Sequence, residues 1–263
     1  DMDKQIFFII YATFTLLGIF YFIKKLSPSK ELSVFIFVTA GIFYFSTFNG
    51  LRQWMAISIV LIGLVKLIER KNIEFFLYVF LASLFHLSAL IVLLLFFIKR
   101  RFDFLQVLIF AISLYIGSIF MIDIISHTKY IIYLEELKFD KSPNPILLIA
   151  YVLIFSFIPI FLGYFSKEKA LSSKEIILSN MNLCSIFILL IGYLMNIVFL
   201  TLMRVNMYFT IQLIILIPIF FENIQNENIK NLFILLTIIF FSFYFFYTLY
   251  FNGIEYNLTP YKT

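Results

Sequence analysis

The sequence has little charge and almost no cysteine, and both shortages narrow what the chain can be. Only 13% of its 263 residues are charged while 63% are hydrophobic, which is too apolar for a soluble domain built around one core. The single cysteine, Cys184, excludes an internal disulfide and a cysteine-based metal cluster. Because it lies in an apolar run, it is predicted to be a small packing residue. The chain is therefore expected to be a polytopic integral membrane protein.

Several familiar catalytic motifs are also missing. The chain has no Gly-rich phosphate loop, no Gly-x-Ser-x-Gly, no His-Glu-x-x-His and no Cys-His spacing for zinc. These absences argue against ATP-driven transport and against hydrolysis by the common soluble chemistries. The net charge of +5 is spread over short loops, which relates to membrane orientation. No nucleic-acid partner, metal or cofactor is expected.

The apolar runs predict an all-α fold, a polytopic transmembrane helical bundle that forms one domain over residues 1–263. A helix needs about 20 apolar residues to cross the hydrocarbon core, and only helices suit runs of this kind. The sequence offers about nine such segments, at 5–22, 32–48, 51–68, 73–98, 102–125, 146–165, 183–202, 205–221 and 232–251.

The segment 73–98 conflicts with the positive-inside rule if it crosses the membrane once. Its 26 residues would form a helix of about 39 Å, too long for one comfortable crossing and too short for two. A broken or re-entrant pair with its apex at His86 would resolve the parity and bring Arg52, His86 and Arg204 to the outer leaflet. The alternative, one long tilted helix, leaves His86 at mid-membrane and Arg204 on the side opposite Arg52.

Arg52 is the first candidate site residue, because a charge at the rim of a bilayer costs about 3 kcal/mol and usually binds an anion or pairs internally. Its guanidinium can grip phosphate oxygens bidentately, and Asn49 and Gln53 add neutral donors at the same predicted helix start. The backbone N–H groups of that helix start also favour an anion. The alternative is an interfacial arginine that snorkels to lipid headgroups.

His86 is the candidate base. It lies in an apolar segment with Ser83 one turn before it and Ser88 two residues after it. A neutral imidazole can take a proton from a sugar hydroxyl near physiological pH. The alternative is a buried histidine hydrogen-bonded across a helix interface. His127, the other histidine, lies in a hydrophilic loop and is predicted to be solvated.

Two further groups could contact a substrate. Arg204 precedes Tyr208 by one helical turn, so both are expected on one helix face, as a second phosphate clamp or as part of a structural ion pair. Glu135 and Glu136 lie in the hydrophilic loop 126–145. Paired acids of this kind can bind sugar or act as bases, but they also occur in loops that are merely soluble.

Taken together, these residues form a pattern that resembles the EpsG-like family of bacterial exopolysaccharide polymerases, related to Wzy. The resemblance covers roughly residues 43–262. It is carried by Phe48-Asn49-x-x-Arg52-Gln53-x-x-Ala56, Ala82-x-x-Phe85-His86-x-Ser88-Ala89, Arg204-x-x-x-Tyr208-Phe209 and Pro260-Tyr261-Lys262. Members of that family usually begin with further membrane segments, so the chain is expected to lack N-terminal segments.

The resemblance implies polymerisation of oligosaccharide repeat units carried on undecaprenyl diphosphate, giving exopolysaccharide, capsule or O-antigen-type chains at the outer face of the bacterial cytoplasmic membrane. His86 would accept the proton of the attacking hydroxyl, and Arg52 and Arg204 would stabilise the diphosphate without a metal. The implied partners are a repeat-unit flippase and a chain-length regulator. Two alternatives stay open, namely a transporter of polysaccharide or lipid-linked sugar and a membrane acyltransferase with His86 as base.

Overall fold

The structure is a computed structural model that describes residues 2–100, isolated positions between 106 and 127, and residues 171–195 and 199–251. Over these ranges the fold is all helical and contains no strand. The chain divides into two compact units, Asp1–Leu93 with Leu213–Thr263 and Leu94–Gln212. The all-α prediction is thus confirmed for the described residues, while the prediction of one domain over the whole chain stays a prediction.

The described helices are numbered here in chain order. They are α1 Met2–Leu26, α2 Lys30–Thr39, α3 Ser46–Asn49, α4 Leu51–Ile68, α5 Asn72–Phe85, a 3-10 helix Leu87–Leu93, α6 Leu94–Phe97, α7 Ser173–Met195, α8 Phe199–Thr210, α9 Leu213–Glu222 and α10 Glu227–Phe251.

Helix α4 is the centre of the first unit, where it packs against α1 and α5. Each of these contacts requires a glycine where the two helices meet. A methyl group on Gly18 of α1 would lie 2.8 Å from Ser58 Cβ, and one on Gly63 would lie 2.9 Å from Tyr78 Cβ of α5. Small residues at such points let helix backbones approach closely, as is common between helices in membranes. The bounds of α4 agree with the predicted segment 51–68.

The predicted segment 32–48 is not one helix, which corrects the sequence prediction. Helix α2 ends at Thr39, and the chain turns at Gly41, whose φ of +71° is in the left-handed region that glycine adopts readily. A side chain on Gly41 would meet the ring of Tyr244 on α10 at 2.8 Å. Helix α2 is held to α9 by a 2.5 Å hydrogen bond from Ser33 Oγ to the carbonyl of Ile214.

The turn between α4 and α5 is rich in charge. Lys66 forms ion pairs with Glu69 and Glu74 at 3.8 and 3.1 Å, and Lys71 pairs with the same two acids at 3.3 and 3.9 Å. The helix closes through hydrogen bonds from Lys71 N to the carbonyl of Lys66 and from Arg70 N to that of Leu67, at 2.8 and 3.1 Å. This pattern is a Schellman cap, and Arg70 occupies its left-handed position with φ 64°.

By length and composition, four helical stretches in the described part of the chain can cross a membrane. They are Gln5–Leu26, Leu51–Ile68, Arg204–Glu222 and Glu227–Tyr250. In the most apolar stretch of the first and the last of these helices, only 28% and 17% of the residues are buried, against 67% and 78% in the middle two. The first and last helices therefore present apolar side chains to the surroundings. These helices confirm a membrane protein. The predicted count of about nine segments is not confirmed.

In the second unit, α7 begins at Ser173, ten residues before the predicted segment 183–202. The reason is a capping box. Ser172 N donates to Glu175 Oε2 at 2.8 Å, and Glu175 N donates back to Ser172 Oγ at 3.3 Å, which satisfies two amides at the helix start. Asn180, which precedes the predicted segment 183–202, is buried and donates from Nδ2 to the carbonyls of Ile98 and Arg100 at 2.6 and 2.8 Å.

Candidate functional site

The start of α4 is set by Gly50, which has no side chain to cap the helix. Gly50 N donates to the carbonyl of Ser46 at 3.1 Å and so ends the short helix α3, while its own carbonyl accepts from Trp54 N at 2.8 Å and so begins α4. The first N–H groups of a helix have no partner within it. They point away from the helix and carry the positive end of its dipole, which favours an anion at this place.

Arg52 is the second residue of α4 and is exposed. Its guanidinium forms no ion pair with any residue in the described ranges. The neighbouring side chains differ from it, since Gln53 and Trp54 are only 8% and 2% exposed. Asn49 is the last residue of α3. The helix start is thus anchored by a buried tryptophan while the charge beside it projects outward.

The predicted segment 73–98 is interrupted at His86, as the broken alternative required. Helix α5 ends at Phe85, and His86 is extended, with φ −152° and ψ 115°, before the 3-10 helix begins at Leu87. His86 N still donates to the carbonyl of Ala82 at 3.0 Å, and the His86 carbonyl accepts from Ala89 N at 3.0 Å. Both backbone groups of His86 are therefore hydrogen-bonded despite the break. Whether the segment is re-entrant stays a prediction.

The imidazole of His86 is oriented by Ser88. The distance between His86 Nδ1 and Ser88 Oγ is 2.5 Å. When Nδ1 carries the proton and donates to Ser88, the lone pair of the ring is on Nε2, and this nitrogen can then act as the base. Ser83, the other serine considered from the sequence, instead donates to the carbonyl of Phe80 at 2.7 Å.

The hairpin of α4 and α5 brings Arg52 and His86 to the same end. Gly63 faces Tyr78 across the two helices. From there Arg52 lies eleven residues back along α4 and His86 eight residues on along α5, which is about 16 Å and 12 Å at 1.5 Å per residue. The 3-10 helix also packs against α4. We call Arg52, His86 and Ser88 the open end of the hairpin, and Lys66, Glu69, Lys71 and Glu74 its turn end.

The two helix termini at the open end have opposite electrostatic effects. The N-terminus of α4 supports a negative charge beside Arg52, and the C-terminus of α5 supports a positive charge on His86. Each effect is worth about 0.3–1 kcal/mol at an exposed terminus. The open end can therefore hold an anion and stabilise an imidazolium that forms during proton transfer.

The chain also matches a protein family over almost its whole length. The family model described as EpsG family matches residues 2–263. The chain belongs to the EpsG family. No curated protein and no solved structure matches it. Membership of the EpsG family is consistent with an exopolysaccharide-related polymerase of the glycosyltransferase type.

The remaining predicted site residues lie elsewhere in this EpsG family protein. Arg204 and Tyr208 are both in α8, in the second unit, one turn apart as predicted. Arg204 is exposed, whereas Tyr208 is fully buried and contributes to the core. The convergence of Arg204 with the open end stays a prediction. Glu135 and Glu136 lie outside the described residues.

The sequence interpretation missed a buried polar cluster between α7 and α8. Ser185 Oγ and Thr210 Oγ1 are 2.8 Å apart, and Gln212 Nε2 donates to Asn182 Oδ1 at 3.0 Å. The spacing on α7 was a readable signal, because polar residues three apart in an apolar run fall on one helix face. We call this cluster the polar seam, and it comprises Asn182, Ser185, Asn206, Thr210 and Gln212, all of which are buried.

Proposed function

We propose that this protein polymerises oligosaccharide repeat units carried on undecaprenyl diphosphate, at the outer face of the bacterial cytoplasmic membrane. The observation that carries the proposal is the open end of the hairpin, where an exposed arginine and a histidine oriented by Ser88 lie at adjoining helix termini. The arginine can bind the diphosphate, and the histidine can accept the proton of the hydroxyl nucleophile. Membership of the EpsG family supports the same class of reaction.

In the proposed step, a hydroxyl oxygen of the acceptor repeat attacks the anomeric carbon of the growing chain. The carbon–oxygen bond to the diphosphate breaks, and undecaprenyl diphosphate leaves with the electron pair. The hydroxyl proton passes to Nε2 of His86. This step uses the tautomer in which Nδ1–H donates to Ser88 Oγ, 2.5 Å away. The resulting imidazolium then releases its proton to solvent.

Arg52 acts on the leaving group in this proposal. The diphosphate gains negative charge as the bond breaks, and a guanidinium already placed beside it stabilises that charge without reorganising. The first amides of α4 add donors to the same anion. Arg204 is proposed to contribute a second positive charge from α8. Asn49 and Gln53, which adjoin Arg52, are proposed to orient the sugar next to the diphosphate, and Glu135 and Glu136 to contact it from the loop.

The test is the size profile of lipid-linked glycans in cells whose own polymerase is deleted. The native gene is expected to restore long chains, whereas His86→Ala and Arg52→Ala leave single repeats on the lipid carrier at the outer face. His127→Ala and Arg70→Ala are matched controls, because both residues are exposed and lie outside the open end. They are expected to restore long chains.

The same profile distinguishes the two other functions. Single repeats that stay on the cytoplasmic side until the gene is restored would identify a transporter. Chains of normal length that lack an acyl group in the deletion strain would identify an acyltransferase. Full activity of His86→Ala would show that proton transfer does not depend on this residue and would contradict the proposed mechanism.

A further inference from the structure

Two oxygen atoms in the polar seam have no hydrogen-bond donor. They are Asn206 Oδ1 and Gln212 Oε1, and no described residue donates to either of them. Their side chains are only 2% and 0% exposed. A buried amide oxygen loses its hydration on folding, so it normally has a partner in the protein or in a bound molecule. The two atoms therefore indicate a bound ion or molecule that supplies positive charge or hydrogen-bond donors.

The two residues that carry these oxygens belong to the same cluster of buried polar residues. Thr210 Oγ1 donates to the carbonyl of Asn206 at 3.1 Å and contacts Ser185 Oγ. Gln212 contacts Asn182, which is three residues from Ser185 and so lies one turn away on the same face of α7. Both hydrogen-bonded pairs of the seam thus involve the same face of α7.

The backbone at the seam is also irregular. Helix α8 ends at Thr210 and α9 begins at Leu213, so the apolar stretch Arg204–Glu222 is interrupted at residues 211–212. The last carbonyls of a helix have no partner within it and form the negative end of its dipole. Interrupted membrane helices commonly place such carbonyls around a cation.

The chemistry of the oxygen atoms in the seam narrows the class of ligand that can bind there. The seam contributes amide, hydroxyl and carbonyl oxygens, and all of them are neutral. The described part of the chain has no group of three or more histidine, cysteine or acidic side chains that could hold a metal. Neutral oxygens in an apolar surrounding suit a monovalent cation, as they do in carbonyl-lined ion sites. We propose that the polar seam binds a dehydrated monovalent alkali cation, sodium or potassium.

Cys184 provides a labelling probe in the same turn of α7 as the seam. It is the one cysteine of the chain, is 2% exposed, and lies on α7 between Asn182 and Ser185. The purified full-length chain in lipid nanodiscs is treated with a thiol-reactive maleimide in chlorides of sodium, potassium or N-methylglucamine at equal ionic strength. The bound cation should slow labelling about tenfold when it is present at about ten times its Kd, because protection scales with one plus that ratio.

Substitutions in the polar seam test whether the protection of Cys184 from labelling depends on it. Asn206→Ala and Gln212→Ala are expected to label at the same rate in all three salts. Asn206→Asp keeps the oxygen and adds a negative charge, so it should need less cation for the same protection. Asn180→Ala is the matched control, since this buried asparagine on the same helix bonds to Ile98 and Arg100 instead. It should keep the dependence on the cation.

The outcomes separate this site from the proposed function, because labelling does not measure polymerisation. Sodium- or potassium-specific protection that Asn206→Ala and Gln212→Ala abolish supports the site, and the ion that protects is the one bound. Equal labelling of the native chain in all three salts would show that the seam holds water alone. Cation protection that survives in both alanine variants would place the ion elsewhere. Either result would overturn the proposal.

Discussion

The two ends of the α4–α5 hairpin treat charge in opposite ways. At the turn end, two lysines and two acids neutralise one another at distances of 3.1 to 3.9 Å. At the open end, Arg52 is exposed and has no acidic partner among the described residues. Surface ion pairs add little to stability and also leave little attraction for a ligand. The positive charge of Arg52 thus stays available to an anion from outside the chain, as the proposed function requires.

The two ends of the hairpin also differ in the role of their irregular backbone. Arg70 is in a left-handed conformation at the turn end, where it closes a helix. His86 is extended at the open end, where it interrupts a helix and leaves its ring oriented by Ser88. The irregular backbone at Arg70 caps a helix, whereas the irregular backbone at His86 presents the imidazole side chain. Changes at the turn end should therefore affect stability, and changes at the open end should affect catalysis.

The largest effect is expected at Arg52. Arg52→Ala should lower the rate of chain extension by about 10²–10³-fold, which is the usual loss when one donor to a developing anion is removed. Arg52→Lys should recover only part of that rate, because an ammonium lacks the bidentate fork. The measurement is the extension rate of lipid-linked repeats in membranes, with Arg70→Lys as control. A fully active Arg52→Lys variant would contradict a bidentate grip.

A smaller effect is expected at Ser88. Ser88→Ala removes one neutral hydrogen bond to the His86 ring and should lower kcat about tenfold, with KM unchanged, because only the orientation of the base is lost. Ser88→Thr keeps the hydroxyl and should restore most of the rate. Ser83→Ala is the control, since Ser83 bonds to the carbonyl of Phe80. Equal rates for the alanine and threonine variants would argue that Ser88 does not position the ring.

At the turn end the expected effect is on stability. Arg70→Gly should raise the unfolding free energy by about 1 kcal/mol, because glycine adopts a positive φ without the steric cost that other residues have. Polymerisation should not change. Lys71→Gly is the matched control, since Lys71 has φ −88° and gains nothing from glycine. Thermal unfolding in detergent measures both, and a loss of stability in Arg70→Gly would contradict the assigned cap.

The smallest effect is expected from the ion pairs. Glu74→Gln removes the 3.1 Å pair with Lys66 but leaves Glu69 beside both lysines. The melting temperature should fall by less than Arg70→Gly raises it, and the fall should disappear at high salt because exposed pairs are screened. Chain extension should equal that of the native protein. Reduced extension in this variant would show that the two ends are not independent.

The sequence predicted α4 and the break at His86 for clear physical reasons. Polar clusters bound α4 on both sides, so hydropathy alone gave Leu51–Ile68. The length of the segment 73–98 and the charge of its flanking loops favoured an interruption over one long tilted helix, and His86 was the polar residue near its middle. Local spacing could not show that Ser88 rather than Ser83 contacts the ring, because this depends on the extended backbone of His86.

Other features depended on signals that were missed or on contacts that no local pattern reveals. The capping box of Ser172 and Glu175 was readable and would have extended α7 by ten residues. The turn at Gly41 was not, since the close approach of Tyr244 comes from a helix about 200 residues later in the chain. Hydropathy also concealed the polar seam, because a few amides in an apolar run barely change its average.

The burial of Trp54 gives the protein an optical probe. It is the one tryptophan of the chain, is 2% exposed, and lies two residues after Arg52 in the first turn of α4. Tryptophan emission excited at long wavelength thus arises from a single, apolar environment at the helix start. Binding of an anionic headgroup there can be followed as a change in the wavelength or quenching of that emission, in the native chain and without a label.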